Sequence, residues 1–213
     1  YFIAACLKGV TLYCLFEDIA LTYPFASNVG VLVATTPLCT AIIARIFLKE
    51  ALKPQFFVGF AIAISGIAMI SFNGASVLKL NPLGDILAIG ASLLWAVYSV
   101  IVKKISSYGY NSIQITRRIF FYGLVLMIPA LFIFGFKLDL NRFTAPVNFL
   151  NMLFLGLGAS ALCFATWSYV VKVLGAAKSS IYIYLVPVVT VITATLILHE
   201  RLTAVAATGT ILT

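Results

Sequence analysis

The sequence predicts an all-α integral membrane protein, built as a polytopic helical bundle. Its composition, its run of apolar segments and an internal repeat are the three observations that predict this fold class. Of the 213 residues, 63% are hydrophobic and 9% are charged, and the mean hydropathy is +1.13. A soluble domain is about half apolar and about a quarter charged. Lipid must therefore solvate much of the surface.

Eight segments are apolar enough to cross or enter a membrane, since a spanning helix needs about 20 mostly apolar residues. They run over residues 1–20, 27–48, 56–72, 84–102, 119–136, 149–171, 179–198 and a shorter 204–213. Turn-forming pairs such as Asn73-Gly74 and Asn81-Pro82 separate them. The connections are too short to hold a soluble domain.

The basic residues indicate which loops face the cytoplasm. Nine lysines and arginines lie in one alternating set of loops and four lie in the other set, with Lys8 placed inside the first segment. Lysine and arginine favour the cytoplasmic side, so the richer set is predicted to lie inside. The net charge of +8 is spread between apolar segments and forms no patch or arm, so nucleic acid is not a predicted partner.

An internal repeat divides the chain. The same residue types recur 150 positions apart at Pro37 and Pro187, at Glu50 and Glu200, and at Gly59 and Gly209. Equal spacing without a gap indicates a duplicated unit. Five predicted spans separate the two copies, so equivalent residues fall on opposite faces of the membrane. An inverted-topology repeat of this kind is typical of secondary transporters.

The repeat also predicts the domain organisation. Residues 73–213 form a second five-helix copy whose last helix is truncated, and residues 1–72 hold the last three helices of the first copy. We therefore expect two further helices before Tyr1 and ten helices in the intact protein.

Several stretches resemble the EamA family of the drug/metabolite transporter superfamily. The first half carries Ala20-Leu21-Thr22-Tyr23, Pro37-Leu38 and Leu48-Lys49-Glu50-Ala51-Leu52, and the second half carries Pro187-Val188 and Leu198-His199-Glu200-Arg201-Leu202. The family often has glycine where this chain has Lys49. The resemblance implies ten helices, cytoplasmic termini and a central cavity between the two halves. It also implies a multi-pass protein of the bacterial plasma membrane.

The predicted function is that of a secondary active transporter, an exporter of small metabolites or drug-like, amphipathic compounds that works by alternating access. A non-transporting membrane module is the alternative. An intramembrane enzyme would need a Ser–His pair, an aspartate pair or a metal triad, and the chain has one histidine, so no enzyme is predicted. The expected partners are a small-molecule substrate and the lipid bilayer, with the protein a monomer or homodimer. No cofactor or metal is expected.

The first segment carries candidate cavity residues, Glu17, Tyr13 and Lys8. Intramembrane charges are costly and usually functional, so Glu17 could bind a cationic group or carry a proton. Alternatively, Glu17 is solvated at the interface. Lys8 could pair with a substrate carboxylate or extend its ammonium group to the headgroups.

Aromatic residues provide the second set of cavity candidates, Trp95, Tyr98, Trp167 and Tyr184. Rings near the membrane midplane suit organic or cationic substrates. The alternative is ordinary helix packing or an aromatic belt at the interface.

The repeat-equivalent residues themselves have predicted roles. Pro37 and Pro187 are interpreted as a paired hinge in the middle of equivalent helices, with packing kinks as the alternative. Glu50 and Glu200 are interpreted as structural, each capping the helix that follows it or pairing with a nearby cation. Asp85 is predicted to be a helix N-cap.

Overall fold

The computed structural model describes residues 1–22, 31–71, 82–133, 145–197 and 203–213, and these residues form helices with short connections. In chain order the helices are α1 (residues 2–22), α2 (Val31–Leu48), α3 (Pro54–Ser71), α4 (Pro82–Ser106), α5 (Ser112–Ile133), α6 (Pro146–Leu174), α7 (Ala176–Ile197) and α8 (Ala204–Leu212). No strand occurs within the described ranges. The predicted all-α fold class is confirmed.

Six of these helices, α2 to α7, are long and apolar enough to span a membrane. The other two differ for simple reasons: α1 contains three charged residues, and α8 is short. Five of the six spans lie between Glu50 and Glu200, which equals the predicted number. The ten-helix total and the inverted repeat stay predictions.

Local chemistry sets where the helices begin and end. Proline is the first residue of α3, α4 and α6. At this position an N–H group has no acceptor within the helix, so the N–H that proline lacks is not needed. Helix α5 begins at Ser112, earlier than the predicted residue 119, because its first turns carry polar side chains that resemble a loop in the sequence. There the Ile113 N–H donates to Asn111 Oδ1 at 3.3 Å.

Helix α4 lies at the centre of the bundle, where it packs against α1, α2 and α6. Its buried face consists mainly of small residues such as Ala88, Ala91 and Ser92, which let neighbouring helices approach closely. By contrast, none of the apolar window of α6 is buried, and Phe149 and Leu157 are among its exposed side chains. An apolar face on the outside suits contact with lipid.

Among the described residues, two stretches of π-helix interrupt the regular helices. One covers Leu7–Leu12 within α1 and the other covers Phe154–Leu162 within α6. Adding the repeat spacing of 150 to the first stretch places it inside the second. Such stretches often occur at functional sites.

The loops predicted to be cytoplasmic lie together at one end of the bundle. Lys103 Nζ donates to the Lys172 carbonyl at 2.8 Å, and Lys172 Nζ donates to the Tyr110 carbonyl at 3.1 Å. The Arg118 guanidinium lies 4.8 Å from the centre of the Tyr110 ring. These contacts join the connections that follow α4 and α6.

Candidate functional site

A cavity of about 450 Å³ lies between α1, α2, α3 and α7. Four of the predicted site residues line it: Tyr13 and Glu17 from α1, and Tyr184 and Pro187 from α7. Its volume falls within the range of small-molecule sites, roughly 300–1,000 Å³. Helices from both halves of the sequence therefore contribute to one site.

The cavity wall is mostly apolar, with a small number of polar groups. Glu17 and Tyr13 are half-buried, and each takes part in an interaction within the structure. The Tyr184 hydroxyl is buried and has no hydrogen-bond partner in the described part of the chain. Thr190 also lines the cavity, and its hydroxyl donates to the Val186 carbonyl at 2.9 Å.

An aromatic cluster lies behind Tyr13, with Trp95 of α4 at its centre. The Trp95 ring centroid is 4.9 Å from that of Tyr13, 5.3 Å from Tyr98 and 5.5 Å from Trp167. Phe164 lies 5.7 Å away in an edge-to-face arrangement. The predicted aromatic candidates on α4 and α6 thus meet in one cluster, and the Tyr13 ring connects it to the cavity.

The indole N–H groups of Trp95 and Trp167 are buried, and neither has a hydrogen-bond partner among the described residues. A buried donor without an acceptor costs about 1–3 kcal/mol. The aromatic cluster thus presents ring faces and two indole N–H donors, and a hydrogen-bond acceptor would satisfy those donors.

Sequence reasoning missed Phe164 and Gly9 as members of this site. The Tyr98 ring lies against Gly9, where an added Cβ would overlap the ring. Glycine inside a helical pattern is a signal of such close approach. Phe164 carried no local signal, because its role depends on which rings α6 brings near α4.

The two predicted hinge prolines have different surroundings. Pro187 lines the cavity, whereas Pro37 is fully buried and is absent from the lining. A turn at Ala34 and Thr35 interrupts α2, and Pro37 lies in the first turn of the segment that follows it. The paired-hinge role of the two prolines stays a prediction. Proline has no N–H group to donate to the carbonyl of Val33, and the Thr36 hydroxyl donates to that oxygen at 2.5 Å instead.

The remaining predicted residues lie elsewhere. Lys8 is half-buried in the π stretch of α1 and is not among the residues that line the cavity. Asp85 lies inside the first turn of α4 and not at its N-cap, because the helix already begins at Pro82. Glu200 lies outside the described residues.

Glu50 caps a helix, but not the one that follows it. Its carboxylate oxygens accept hydrogen bonds from the N–H groups of Ala176 and Ala177, each at 3.0 Å. The capped helix is α7, whereas the sequence predicted either a cap on α3 or pairing with a nearby cation. Pairing across such a distance depends on the tertiary fold and leaves no mark in the local sequence.

The side chains of the described ranges contain no group of three histidine, cysteine, aspartate or glutamate residues placed to hold a metal ion.

Comparison with known proteins identifies the relatives of this chain. The model of the EamA-like transporter family matches residues 1–72 and 82–213. An "Uncharacterized transporter" of Archaeoglobus fulgidus is 29% identical over 210 residues, which cover 97% of this chain and 71% of the relative. A "Probable terminal-alkyne amino-acid exporter" of Streptantibioticus cattleyicolor is 30% identical, over 82% of this chain and 57% of the exporter.

Two further similarities complete the comparison. The "Uncharacterized inner membrane transporter YedA" of Escherichia coli is 32% identical over 78% of this chain, which spans 52% of that relative. A solved crystal structure superposes with a TM-score of 0.80 at 19% identity, covering 99% of this chain and 72% of the other. At that identity the superposition shows the fold alone.

Proposed function

The chain belongs to the EamA-like transporter family, and from that premise we propose that it is a secondary active transporter that exports small amphipathic metabolites. The observation that carries the proposal is the cavity between α1, α2, α3 and α7, where Glu17 and Tyr13 face Tyr184 and Pro187. A site bordered by both halves of a duplicated sequence suits alternating access. The bacterial plasma membrane is the proposed location, and the inner-membrane relative supports it.

The cavity chemistry favours a substrate with an apolar body and a cationic group. Ile67, Ile70 and Val186 supply apolar wall, while the Glu17 carboxylate supplies the negative charge. Aromatic ring faces attract cations, and Tyr13 brings such a ring to the cavity. Amino acids and their derivatives have this character. The relative named as an amino-acid exporter makes them the first compounds to test.

Glu17 is the proposed coupling residue. It lines the cavity, and the sequence predicts that its helix enters the membrane, so its carboxylate could exchange a bound proton for a cationic substrate. Replacing Glu17 by Gln should lower pH-driven uptake into vesicles at least about tenfold, the effect of about 1.4 kcal/mol. Asp85→Asn is the matched control, since Asp85 is not among the lining residues. Unchanged pH-driven transport by Glu17→Gln would contradict proton coupling through this residue.

The substrate can be found by comparing metabolite loss from cells that express the intact protein with loss from cells that express the Pro187→Ala variant. Compounds retained only by the mutant-expressing cells are substrates of the transporter. A profile without any difference between the two strains would count against export as the function.

A further inference from the structure

Helices α2 and α7 pack closely at the end of the bundle that carries the basic loops. Ala41, Ala44 and Ala176 are fully buried in one apolar cluster, and Ser180 is buried beside them. The Ser180 hydroxyl lies 3.5 Å from the Pro37 carbonyl oxygen of α2. Small side chains allow this close approach. The cavity borders the opposite ends of this contact, at Ala34 on α2 and beyond Tyr184 on α7.

The Glu50 carboxylate, directly after α2, bonds to the first residues of α7 at this end of the bundle. One oxygen accepts from the Ala176 N–H and the other from the Ala177 N–H, each at 3.0 Å. These are the first amides of α7, which have no acceptor within the helix, and the helix dipole favours a negative charge at this position. Hydrogen bonds to a carboxylate are about twice as strong as those between neutral groups. A residue of the first repeat thus holds a helix of the second.

The backbone on both sides is shaped for this contact. Lys49 adopts the left-handed conformation, with φ 56° and ψ 30°, which ends α2 and turns the chain directly before Glu50. Gly175 has φ 91°, and an added Cβ there would lie 2.8 Å from Glu50 Oε1. Only glycine combines that φ with that lack of bulk. Arg45 Nη1 also donates to the Glu50 carbonyl at 3.3 Å.

The geometry points to Glu50 as a positioning residue for transport: its two hydrogen bonds hold the cytoplasmic ends of α2 and α7 together while the cavity is accessible from the other side. This inference rests on the proposed alternating access. Opening toward the cytoplasm requires α2 and α7 to separate at Ala44 and Ala176, and the Glu50 bonds must break for that to happen. We refer to this contact as the Glu50 cap.

Cysteine labelling tests the Glu50 cap without a substrate. Cys6, Cys14, Cys39 and Cys163 are first replaced by serine. Two reporters are then made separately: Ser180→Cys within the closed contact and Thr190→Cys at the cavity. A membrane-impermeant maleimide is applied from the cytoplasmic side to the first and from the external side to the second. With Glu50→Gln, labelling at position 180 should rise about tenfold, the effect of about 1.4 kcal/mol, and labelling at position 190 should fall.

Two further variants separate positioning from mere structural support. Lys53→Gln changes a charge that borders the same surface as Glu50 but makes no bond to the α7 amides, so both labelling rates should stay unchanged. Glu50→Asp keeps the charge on a shorter side chain and should restore part of the slow labelling at position 180. A fold that is simply loosened would label faster at both reporters, and that result would overturn the inference. Equal rates in Glu50→Gln and the parent would overturn it as well.

The labelling result and the exporter proposal can fail independently. Opposite changes at positions 180 and 190 establish the Glu50 cap even if no exported compound is found. Conversely, substrate export by the parent together with unchanged labelling in Glu50→Gln would leave the transporter in place and remove Glu50 from its cycle.

Discussion

Two pairs of repeat-equivalent helices, α3 with α8 and α2 with α7, pack in different ways. Along α3 and α8 the backbones touch: a Cβ added to Gly66 would lie 2.5 Å from the Gly209 carbonyl oxygen, and one added to Gly209 would lie 2.6 Å from that of Gly66. Helices α2 and α7 instead meet near Glu50 and border the cavity at their other ends. Close backbone contact suits a fixed pair. A contact of small side chains whose end is joined by the Glu50 carboxylate suits a pair that changes its separation.

The largest effect is expected from wedging the fixed pair apart. Gly66→Val should lower the free energy of unfolding by about 3 kcal/mol, because the new side chain meets the backbone of α8, which cannot rotate away. Thermal unfolding in detergent measures the change. Ser65→Thr adds a methyl group to the exposed neighbouring residue of the same helix and should cost less than about 0.5 kcal/mol. Equal losses from both variants would mean that the α3–α8 contact is not specially close.

The next largest effects distinguish the roles of the two prolines, Pro187 in transport and Pro37 in stability. Pro187→Ala should lower transport about tenfold, or about 1.4 kcal/mol, because it straightens the segment that borders the cavity. Pro37→Ala removes a fully buried ring and should instead lower the free energy of unfolding, by about 2 kcal/mol. Initial rates and thermal midpoints measured on the same preparations distinguish the two. The assignment of different roles to the two prolines would be wrong if Pro37→Ala impaired transport more than Pro187→Ala at equal stability.

A smaller effect tests how the break in α2 is stabilised. Thr36→Val keeps the shape but removes the hydroxyl that bonds to the Val33 carbonyl, so it should cost about 1 kcal/mol of unfolding free energy. The repeat-equivalent residue is Val186, which has no hydroxyl. Thr36→Ser, which retains the hydroxyl, should stay within about 0.5 kcal/mol of the parent. A Thr36→Val protein as stable as the parent would show that this carbonyl needs no partner.

The smallest expected effect is an increase in the free energy of unfolding. Lys49→Gly should stabilise the protein by about 0.5–1 kcal/mol, since glycine adopts the left-handed conformation of this position without steric cost. Chemical denaturation measures it, and Lys53→Gly is the control at a neighbouring basic residue with no left-handed backbone. A loss of stability in Lys49→Gly would show that the lysine side chain contributes more than its backbone strain removes.

Much of the fold could be predicted from sequence, because membrane spans follow from length and apolar composition alone. Four of the candidate residues line the cavity, and two of them, Glu17 and Pro187, are of types that are unusual inside apolar segments. Their roles in transport stay predictions. The partner of Glu50 could not be predicted, because the amides of α7 lie 126 and 127 positions away. Nor could the sequence distinguish Pro37 from Pro187, whose local patterns match while their surroundings differ.

The π stretch of α1 has a consequence for which side chains share a face. A π turn takes in more residues than an α turn, and each α-helical residue advances the chain by about 100° around the axis. Helical spacing therefore does not carry across Leu7–Leu12, and the face that holds Lys8 is rotated relative to the face that holds Tyr13 and Glu17. If that stretch changed to a regular α-helix, the segment beyond it would rotate about the helix axis. Glu17 would then move around that axis without any bending of α1.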